Sequence, residues 1–201
     1  MKNNEPIKIH IIVGSTRQNR FSKKPAQWIY EEAKKRKGLR VELLDLRNYP
    51  LPFFDELASP TYLKGKYSNV VAKKWVKKIA EADGYIIVTP EYNHGYPAVL
   101  KNAMDYPYFE WNKKAVGFVS YGSVAGVRAV EQLRQVTIEL QMAPIRTSIH
   151  IPWQLYLEAT NKKGTDSLSP FAALKNQTEL FLDQLTWWTE ALKTAREEDK
   201  K

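Results

Sequence analysis

Five short runs of β-branched, aliphatic and aromatic residues recur along the chain, and segments with helical spacing separate them. The runs are Ile7 to Val13, Arg40 to Leu46, Gly84 to Thr89, Ala115 to Ser120 and Thr147 to Ile151. Because these runs are largely apolar rather than strictly alternating, they predict parallel strands covered on both faces. Right-handed crossovers between such strands place helices on both faces of the sheet. The pattern therefore predicts an α/β fold with a doubly wound, five-stranded parallel sheet.

The segments between the strands carry helix start and stop signals. We expect helices over residues 22–38, 67–82, 97–105, 123–140 and 171–195, and loops over 49–65 and 160–170. Ser22 is the expected N-cap of the first helix and Ser123 that of the fourth, since serine hydroxyls accept from exposed first-turn N–H groups. We interpret residues 1–195 as a single domain and residues 196–201 as a frayed tail.

Composition excludes several kinds of chemistry. The chain has 201 residues, no cysteine and three histidines, so a disulfide framework, a thiolate nucleophile and a cysteine-ligated zinc are excluded. We expect no metal site and no catalytic side chain of the Ser-His-Asp type. The start of the chain lacks a long apolar segment, and no apolar stretch approaches the roughly 18 residues that a membrane span needs. These features predict a cytoplasmic protein without a membrane partner.

The formal net charge is +9, from 31 Lys and Arg against 22 Asp and Glu. Residues 1–100 contain 18 basic and 10 acidic side chains, so nearly all of the excess lies in the first half. Much of it occurs as lysine pairs at helical spacing, such as Lys34-Lys35, Lys73-Lys74 and Lys77-Lys78. Solvated helix faces explain these pairs most simply, whereas a nucleic-acid-binding domain would need one continuous basic face.

The segment after the first predicted strand, GSTRQNRFS (14–22), leads directly into a helix. It has neither a G-x-G-x-x-G pattern nor a Walker loop. It does bring hydroxyls and two arginines to a helix N-terminus, where backbone N–H groups and the helix dipole favour an anion. Bidentate arginine suits a terminal phosphate monoester. A mononucleotide phosphate site and an ordinary polar turn are equal alternatives at this point.

Two further loops follow the third and fourth predicted strands. The first, TPEYNHGYP (89–97), is stiffened by two prolines and offers backbone N–H groups and aromatic faces to a planar heterocycle. The second, SYGSVAG (120–126), has small residues that permit close approach of a ligand to the backbone. Read separately, each loop is equally compatible with ordinary packing. In doubly wound sheets, however, ligands bind at the carboxyl ends of the strands.

Taken together, the three loops resemble the NAD(P)H-dependent FMN reductases, a flavodoxin-like group that includes quinone, azo-dye and chromate reductases. The middle motif, PEYNHGYPAVLKNAMDY (90–106), is the most specific, and DLRNYPLP (45–52) also matches the family pattern. The resemblance covers roughly residues 7–150. It implies a flavodoxin-like sheet of strand order 2-1-3-4-5, with FMN as cofactor and NADPH or NADH as hydride donor. It also implies self-association as a homodimer or homotetramer.

The resemblance assigns expected roles to particular residues. Those expected at the FMN phosphate are Ser15, Thr16 (through its backbone), Arg17, Arg20 and Ser22. Those expected along the isoalloxazine ring, largely through main-chain groups, are Pro90, Glu91, Tyr92 and Asn93. Those expected to contact the ring or ribityl chain from the other side are Ser120, Gly122 and Ser123. Flavin N5 would then carry the chemistry, with the protein supplying orientation and electrostatics.

The implied function is an FMN-dependent oxidoreductase that takes hydride from NAD(P)H. It would pass two electrons to a quinone, an azo compound, a metal oxyanion or free flavin. The alternative is a flavodoxin-type electron-transfer protein that does not oxidise NAD(P)H itself. Such carriers tend to be acidic and to have a threonine-rich phosphate loop, whereas this chain is basic and has arginines there. A third reading, a nucleic-acid-binding domain, is disfavoured because the lysine pairs occur on separate helices.

Overall fold

A computed structural model describes residues 5–199, and every strand pairing in it is parallel. The strands are β1 (Ile7–Val13), β2 (Leu39–Asp45), β3 (Gly84–Pro90), β4 (Ala115–Tyr121), β5 (Ala143–Pro144) and β6 (Ile149–Ile151). Their order is β2-β1-β3-β4-β5, with β6 also paired to β4. The predicted flavodoxin-like order 2-1-3-4-5 is therefore confirmed, and the fifth position is shared by two short strands.

The fifth strand was predicted as one segment, Thr147 to Ile151, and the structure divides it. β5 pairs with the start of β4 and β6 with its end. Between them the backbone binds side chains of neighbouring helices. Arg134 donates to the Ile145 carbonyl over 2.8 Å, and the Thr147 N–H donates to Gln184 over 2.7 Å. Pairing with β4 extends past Pro144 to Ile145, whose N–H donates to the Val116 carbonyl over 2.9 Å, and resumes at Ile149.

The helices are α1 (Lys23–Lys34), α2 (Pro60–Leu63), α3 (Val70–Ala80), α4 (Ala98–Asp105), α5 (Val127–Glu139), α6 (Trp153–Asn161) and α7 (Lys175–Glu198). The sequence did not predict α2 or α6. Residues 164–174, predicted as loop and as the start of the last helix, form a 3-10 segment instead. Helix α3 begins later than expected because the Asn69 side chain accepts from the N–H groups of Val71 and Ala72.

Two expected helix ends differ from the structure in detail. Ser22 is the N-cap residue of α1, as expected, but its side chain makes no capping hydrogen bond and is fully buried. At the other end of the chain, residues 196–198 belong to α7 rather than to a frayed tail. Arg196 donates to the Lys113 carbonyl over 2.5 Å and to Asp83 over 3.3 Å, which fixes the last turn. The single-domain interpretation of residues 1–195 remains a prediction.

Two apolar cores lie on opposite faces of the sheet. Alternate strand residues, such as Ile12 and Phe118, face α3, α4 and α5, while Ile11 and Val119 face α1 and α7. Since α1 carries Lys34-Lys35 and α3 carries the other lysine pairs, the basic side chains are divided between both faces. This division does not form a single phosphate-tracking surface. Across residues 5–199, no helix is both long enough and apolar enough to cross a bilayer.

His10 is a buried titratable group in β1, remote from the carboxyl ends of the strands. Its Nε2 lies 3.5 Å from Glu42 on β2, and Lys78 donates to both Glu42 and Glu81. Burial lowers the pKa of His10 to about 4, and the nearby Glu42 carboxylate only partly opposes this effect. His10, Glu42 and Glu81 place three potential metal ligands within 4.8 Å of one another. The Lys78 ammonium already supplies a positive charge to the two carboxylates.

We predict that His10 makes the fold less stable at acidic pH. Between its ordinary pKa of 6.5 and about 4, the unfolded chain binds a proton at His10 that the folded chain excludes. Stability is therefore lost as pH falls through that window, by about 3 kcal/mol. Urea unfolding of wild type and His10→Gln at several pH values measures this contribution. The difference between their unfolding free energies should change across the window, and a constant difference would contradict the prediction. His94→Gln, at an exposed loop histidine, is the control.

Candidate active site

The parallel sheet brings the three predicted loops to one edge. β1 ends at Val13, and the next N–H, that of Gly14, donates to the Val88 carbonyl of β3 over 2.8 Å. A Cβ atom at Gly14 would lie only 2.8 Å from that same oxygen. Glycine is therefore required at the start of the first loop, where the chain passes directly over β3.

The first and second loops are in direct contact. The Ser15 hydroxyl lies 2.9 Å from the Tyr92 hydroxyl, and Ser15 is buried. The Arg17 guanidinium lies over the Tyr92 ring, 5.4 Å from its centroid, in a cation–π arrangement. Tyr92 therefore extends its side chain to the end of the site where the sequence predicts a phosphate. The sequence had predicted mainly a main-chain role for this residue, beside the ring.

Residues Tyr92 to Gly95 form a tight turn. The Tyr92 N–H donates to the Gly95 carbonyl over 2.8 Å, and the Gly95 N–H donates back over 3.1 Å. Asn93 and His94 both have positive φ, 48° and 74°, as a turn of type I′ requires. Asparagine tolerates this conformation well, and its side chain is exposed. Pro90 is buried as the last residue of β3, opposite Tyr121.

Glu91 joins the second loop to the third. Its N–H donates to the Tyr121 carbonyl over 2.9 Å. Its carboxylate, only 4% exposed, accepts from the backbone N–H and side chain of Arg128. Since the carboxylate faces α5, only the main chain of Glu91 is available to a ligand. Gly122 lies alongside, and a Cβ there would be 3.2 Å from the Glu91 Cβ.

The serines of the third loop lie differently from expectation. Ser120 is fully buried, and its hydroxyl donates to the Ala125 carbonyl over 2.8 Å and lies 2.8 Å from His150 Nδ1. Its side chain thus shapes the turn. Ser123 is exposed and does not cap α5, because that helix begins at Val127 with Gly126 in the N-cap position. The capping prediction for Ser123 is wrong.

The predicted phosphate residues differ in how free their side chains are. Arg17 is exposed, whereas Arg20 is buried and pairs through Nη2 with Asp45 at the end of β2. The other two guanidinium nitrogens of Arg20, Nε and Nη1, are buried without a hydrogen-bond partner among residues 5–199. Buried N–H groups of a cation are normally paired, so these two atoms suit an anionic or polar ligand. Thr16 takes part through its carbonyl, which accepts from Arg47 over 3.1 Å.

An open cavity of about 310 Å³ lies between the first loop, the third loop and α6. Its lining includes Arg17, Asn19, Arg20, Phe21, Lys24, Tyr92, Tyr121, Gly122, Trp153, Tyr156 and Thr160. The lining combines three cationic side chains, Arg17, Arg20 and Lys24, with several aromatic rings. The cavity therefore combines features that suit a phosphate with features that suit a planar ring.

The aromatic wall depends on α6, which the sequence did not predict. Trp153 stacks on Tyr156 with ring centroids 4.7 Å apart, and Tyr121 lies nearly parallel to Tyr156 at 6.1 Å. Lys24 fixes the end of α6 by donating to the Ala159 carbonyl and, over 3.0 Å, to the Lys162 carbonyl. Burial raises the pKa of Tyr121 above its ordinary value, so this hydroxyl stays protonated. The spacing of Trp153, Tyr156 and Thr160 was the available signal, since it places them on one helix face.

Comparison with known proteins gives a family for this arrangement. Residues 7–153 match the family model described as NADPH-dependent FMN reductase, which spans all three loops. The chain belongs to this family. An NAD(P)H-dependent FMN reductase of Schizosaccharomyces pombe is 40% identical over 147 residues, covering 72% of this chain and 74% of that protein.

Two further matches cover more of the chain than the family model does. A quinone reductase of Pseudomonas putida is 29% identical over 189 residues, covering 90% of this chain and 93% of the relative. Among solved structures, the flavoenzyme NAD(P)H:(acceptor) oxidoreductase FerB of Paracoccus denitrificans superposes with a TM-score of 0.68 at 21% identity. That superposition covers 90% of this chain and 97% of FerB. The family that the three loops predicted for this FMN reductase is therefore confirmed.

We predict that Gly126 is required for the packing of the third loop. Its φ is 75°, and a Cβ would lie 2.8 Å from the Ser120 Cβ and the Tyr121 nitrogen. Gly38 has a similar φ of 83°, but no atom of residues 5–199 lies within 4 Å of a Cβ placed there. Gly38→Ala should therefore cost only backbone strain, about 1–2 kcal/mol. Gly126→Ala should cost about 1–3 kcal/mol more because of overpacking. Equal losses in chemical denaturation would contradict this account.

Proposed function

We propose that this protein is an FMN-dependent oxidoreductase that takes hydride from NAD(P)H and passes two electrons to a small acceptor. The acceptor classes proposed are quinones, azo compounds, metal oxyanions and free flavin. One observation carries the proposal most directly. Among residues 5–199, two buried guanidinium nitrogens of Arg20 have no hydrogen-bond partner, and Arg20 lines a cavity that also has aromatic lining residues. A phosphorylated planar ring meets both requirements.

The residues present fit FMN. Arg17, Arg20 and Ser15 would bind the phosphate near the N-terminus of α1, with Thr16 and Ser22 shaping the loop from behind. The main chain of residues 90–93 and 122–123 would line the ring. The N–H groups of Asn93 and His94 make no hydrogen bond within the described part of the chain, so both can donate to a ligand. Ser120 would contribute indirectly, by holding the third loop.

FMN, when bound, supplies hydride acceptance at N5 and electron transfer to the acceptor. The chain's own contribution is to hold the ring, the phosphate and the nicotinamide in reacting positions. N–H groups of the 92–95 turn would favour negative charge on the adjacent ring edge. No side chain needs to act as nucleophile or general base. Arg17, which is exposed, also supplies positive charge for the anionic NADPH or NADH.

We also propose, from the sequence, that the protein is cytoplasmic and that it self-associates as a homodimer or homotetramer. Exposed aromatic and aliphatic side chains, including Phe53, Tyr62 and Trp187, are available for contacts between copies. The proposed partners are therefore a small-molecule acceptor and further copies of this chain.

The main test of this proposal is anaerobic reduction of the FMN-loaded protein by NADPH or NADH. The loss of visible flavin absorbance measures the reduction. We expect bleaching by at least one of the two nucleotides, and recovery of the absorbance on addition of a quinone. Protein that binds FMN but is bleached by neither nucleotide would support the flavodoxin-type carrier instead. Protein that binds no FMN would contradict both readings.

A second prediction concerns the phosphate end of the site. Arg17→Ala should weaken FMN binding more than tenfold, which corresponds to about 1.4 kcal/mol or more for a charged phosphate contact. Quenching of FMN fluorescence on titration measures the change. Arg40→Ala is the matched control, because Arg40 is an exposed arginine near the amino end of β2, at the opposite edge of the sheet. Equal affinities for the two variants would remove Arg17 from the phosphate site.

A further inference from the structure

Helix α5 lacks a capping side chain of its own. Its N-cap residue is Gly126, with φ of 75°, and no side chain from that position can accept from the first-turn N–H groups. The carboxylate of Glu91, from the loop after β3, accepts from the Arg128 N–H over 3.2 Å instead. A carboxylate at a helix N-terminus also interacts favourably with the helix dipole. Glu91 therefore caps a helix that begins 36 residues later in the chain.

The side chain of Arg128 completes this contact. Its Nε donates to Glu91 Oε1 over 2.5 Å, and its Nη2 forms an ion pair with the same oxygen. The Glu91 side chain is 4% exposed, so its negative charge is almost wholly removed from water. A buried charge of this kind depends strongly on its partner, since removing one member leaves the other uncompensated. We call the contacts between Glu91 and Arg128 the clamp.

The clamp connects the two loops that line the proposed ring site. On one side, Glu91 directly precedes Tyr92, which lines the cavity. On the other side, its N–H donates to the Tyr121 carbonyl, and Gly122 packs against its Cβ. Tyr121 and Gly122 also line the cavity. Any change in the clamp therefore alters the separation of these loops and the charge beside them.

We propose that Arg128 is a positioning residue for the flavin ring, acting through Glu91. This inference rests on the proposed function and names a residue that the sequence motifs did not assign. Loss of the Arg128 guanidinium would leave the buried Glu91 carboxylate without its ion-pair partner beside the ring site. An uncompensated negative charge disfavours addition of electrons to a nearby group. Loss of Arg128 would also allow the two loops to move, so that they no longer align the ring with the nicotinamide.

The test compares three variants of the FMN-loaded protein with wild type. Arg128→Gln removes the charge, Arg128→Lys keeps the charge but loses the planar fork, and Arg134→Gln is the matched control. Arg134 is also on α5, but it donates to the carbonyls of residues 145 and 146 and to Ser148, and makes no hydrogen bond with the second or third loop within the described residues. The measured quantities are the midpoint potential of bound FMN, the rate of its reduction by saturating NADPH or NADH, and thermal stability.

We expect Arg128→Gln to make the midpoint potential more negative and to slow reduction on the order of tenfold, equivalent to about 1.4 kcal/mol in the barrier. Arg128→Lys should retain a near-normal potential but still reduce slowly. Arg134→Gln should lose thermal stability with potential and rate unchanged. The proposal is wrong if both quantities stay at wild-type values in Arg128→Gln, or if Arg134→Gln shifts them equally. If Arg128→Gln does not fold, a wild-type reduction rate in Arg128→Lys overturns it.

Failure of the proposed function is a separate result. Chemical reduction gives the midpoint potential without NAD(P)H, so the effect of Arg128 on the flavin remains measurable if neither nucleotide reduces the wild type. In that case an unshifted potential in Arg128→Gln would still refute the clamp. A wild-type protein that binds no FMN would refute both proposals.

Discussion

The parallel pairing of β1 with both β2 and β3 determines where the chemistry of this chain can occur. The pairing aligns Val13 with Asp45 and with Val88, so that three strands end at one edge of the sheet. β4 continues this alignment through Pro90 and Tyr121. Loops that are distant in sequence, beginning at Gly14, Glu91 and Gly122, thereby become neighbours. A ligand that contacts all three must lie across this edge, as the ligands of doubly wound sheets do.

Two ion pairs brace this edge at its two ends. Arg20 with Asp45 fixes the first loop against β2, and Glu91 with Arg128 fixes the second loop against α5, the helix that follows the third loop. Both pairs include a side chain with little exposure, so each depends on its partner for compensation. Their consequences differ. Within the described part of the chain, Nε and Nη1 of Arg20 have no partner and can donate to an anion, whereas the Glu91 carboxylate is already paired with Arg128. The excess positive charge of the chain is mostly unrelated to the site, because the lysine pairs lie on helices on both faces of the sheet.

The parts of the structure that follow a local rule could be predicted from the sequence. Apolar runs predicted β1 to β4, and the loop motifs predicted the family and the edge that holds the cavity. The features that were missed depend on distant partners. The clamp joins Glu91 to a residue 37 positions away, and Arg134 and Gln184 interrupt the fifth strand from two different helices. The short helix α6 was missed because its exposed Trp153 and Leu157 obscure the apolar face. Ser22 and Ser123 were expected to cap helices. The Ser22 side chain is buried without a capping hydrogen bond, and α5 begins after Gly126 rather than at Ser123.

The central claim is that the arginine end of the cavity binds the phosphate of a flavin mononucleotide. Calorimetric titration with FMN and with riboflavin, which differs only in lacking that phosphate, tests this claim most directly. The account predicts that FMN binds at least about tenfold more tightly, since a hydrogen bond to a charged group contributes about 1.5–3 kcal/mol. It also predicts that the difference shrinks as salt concentration rises, because Arg17 is exposed to solvent. Equal affinities for FMN and riboflavin would contradict the account.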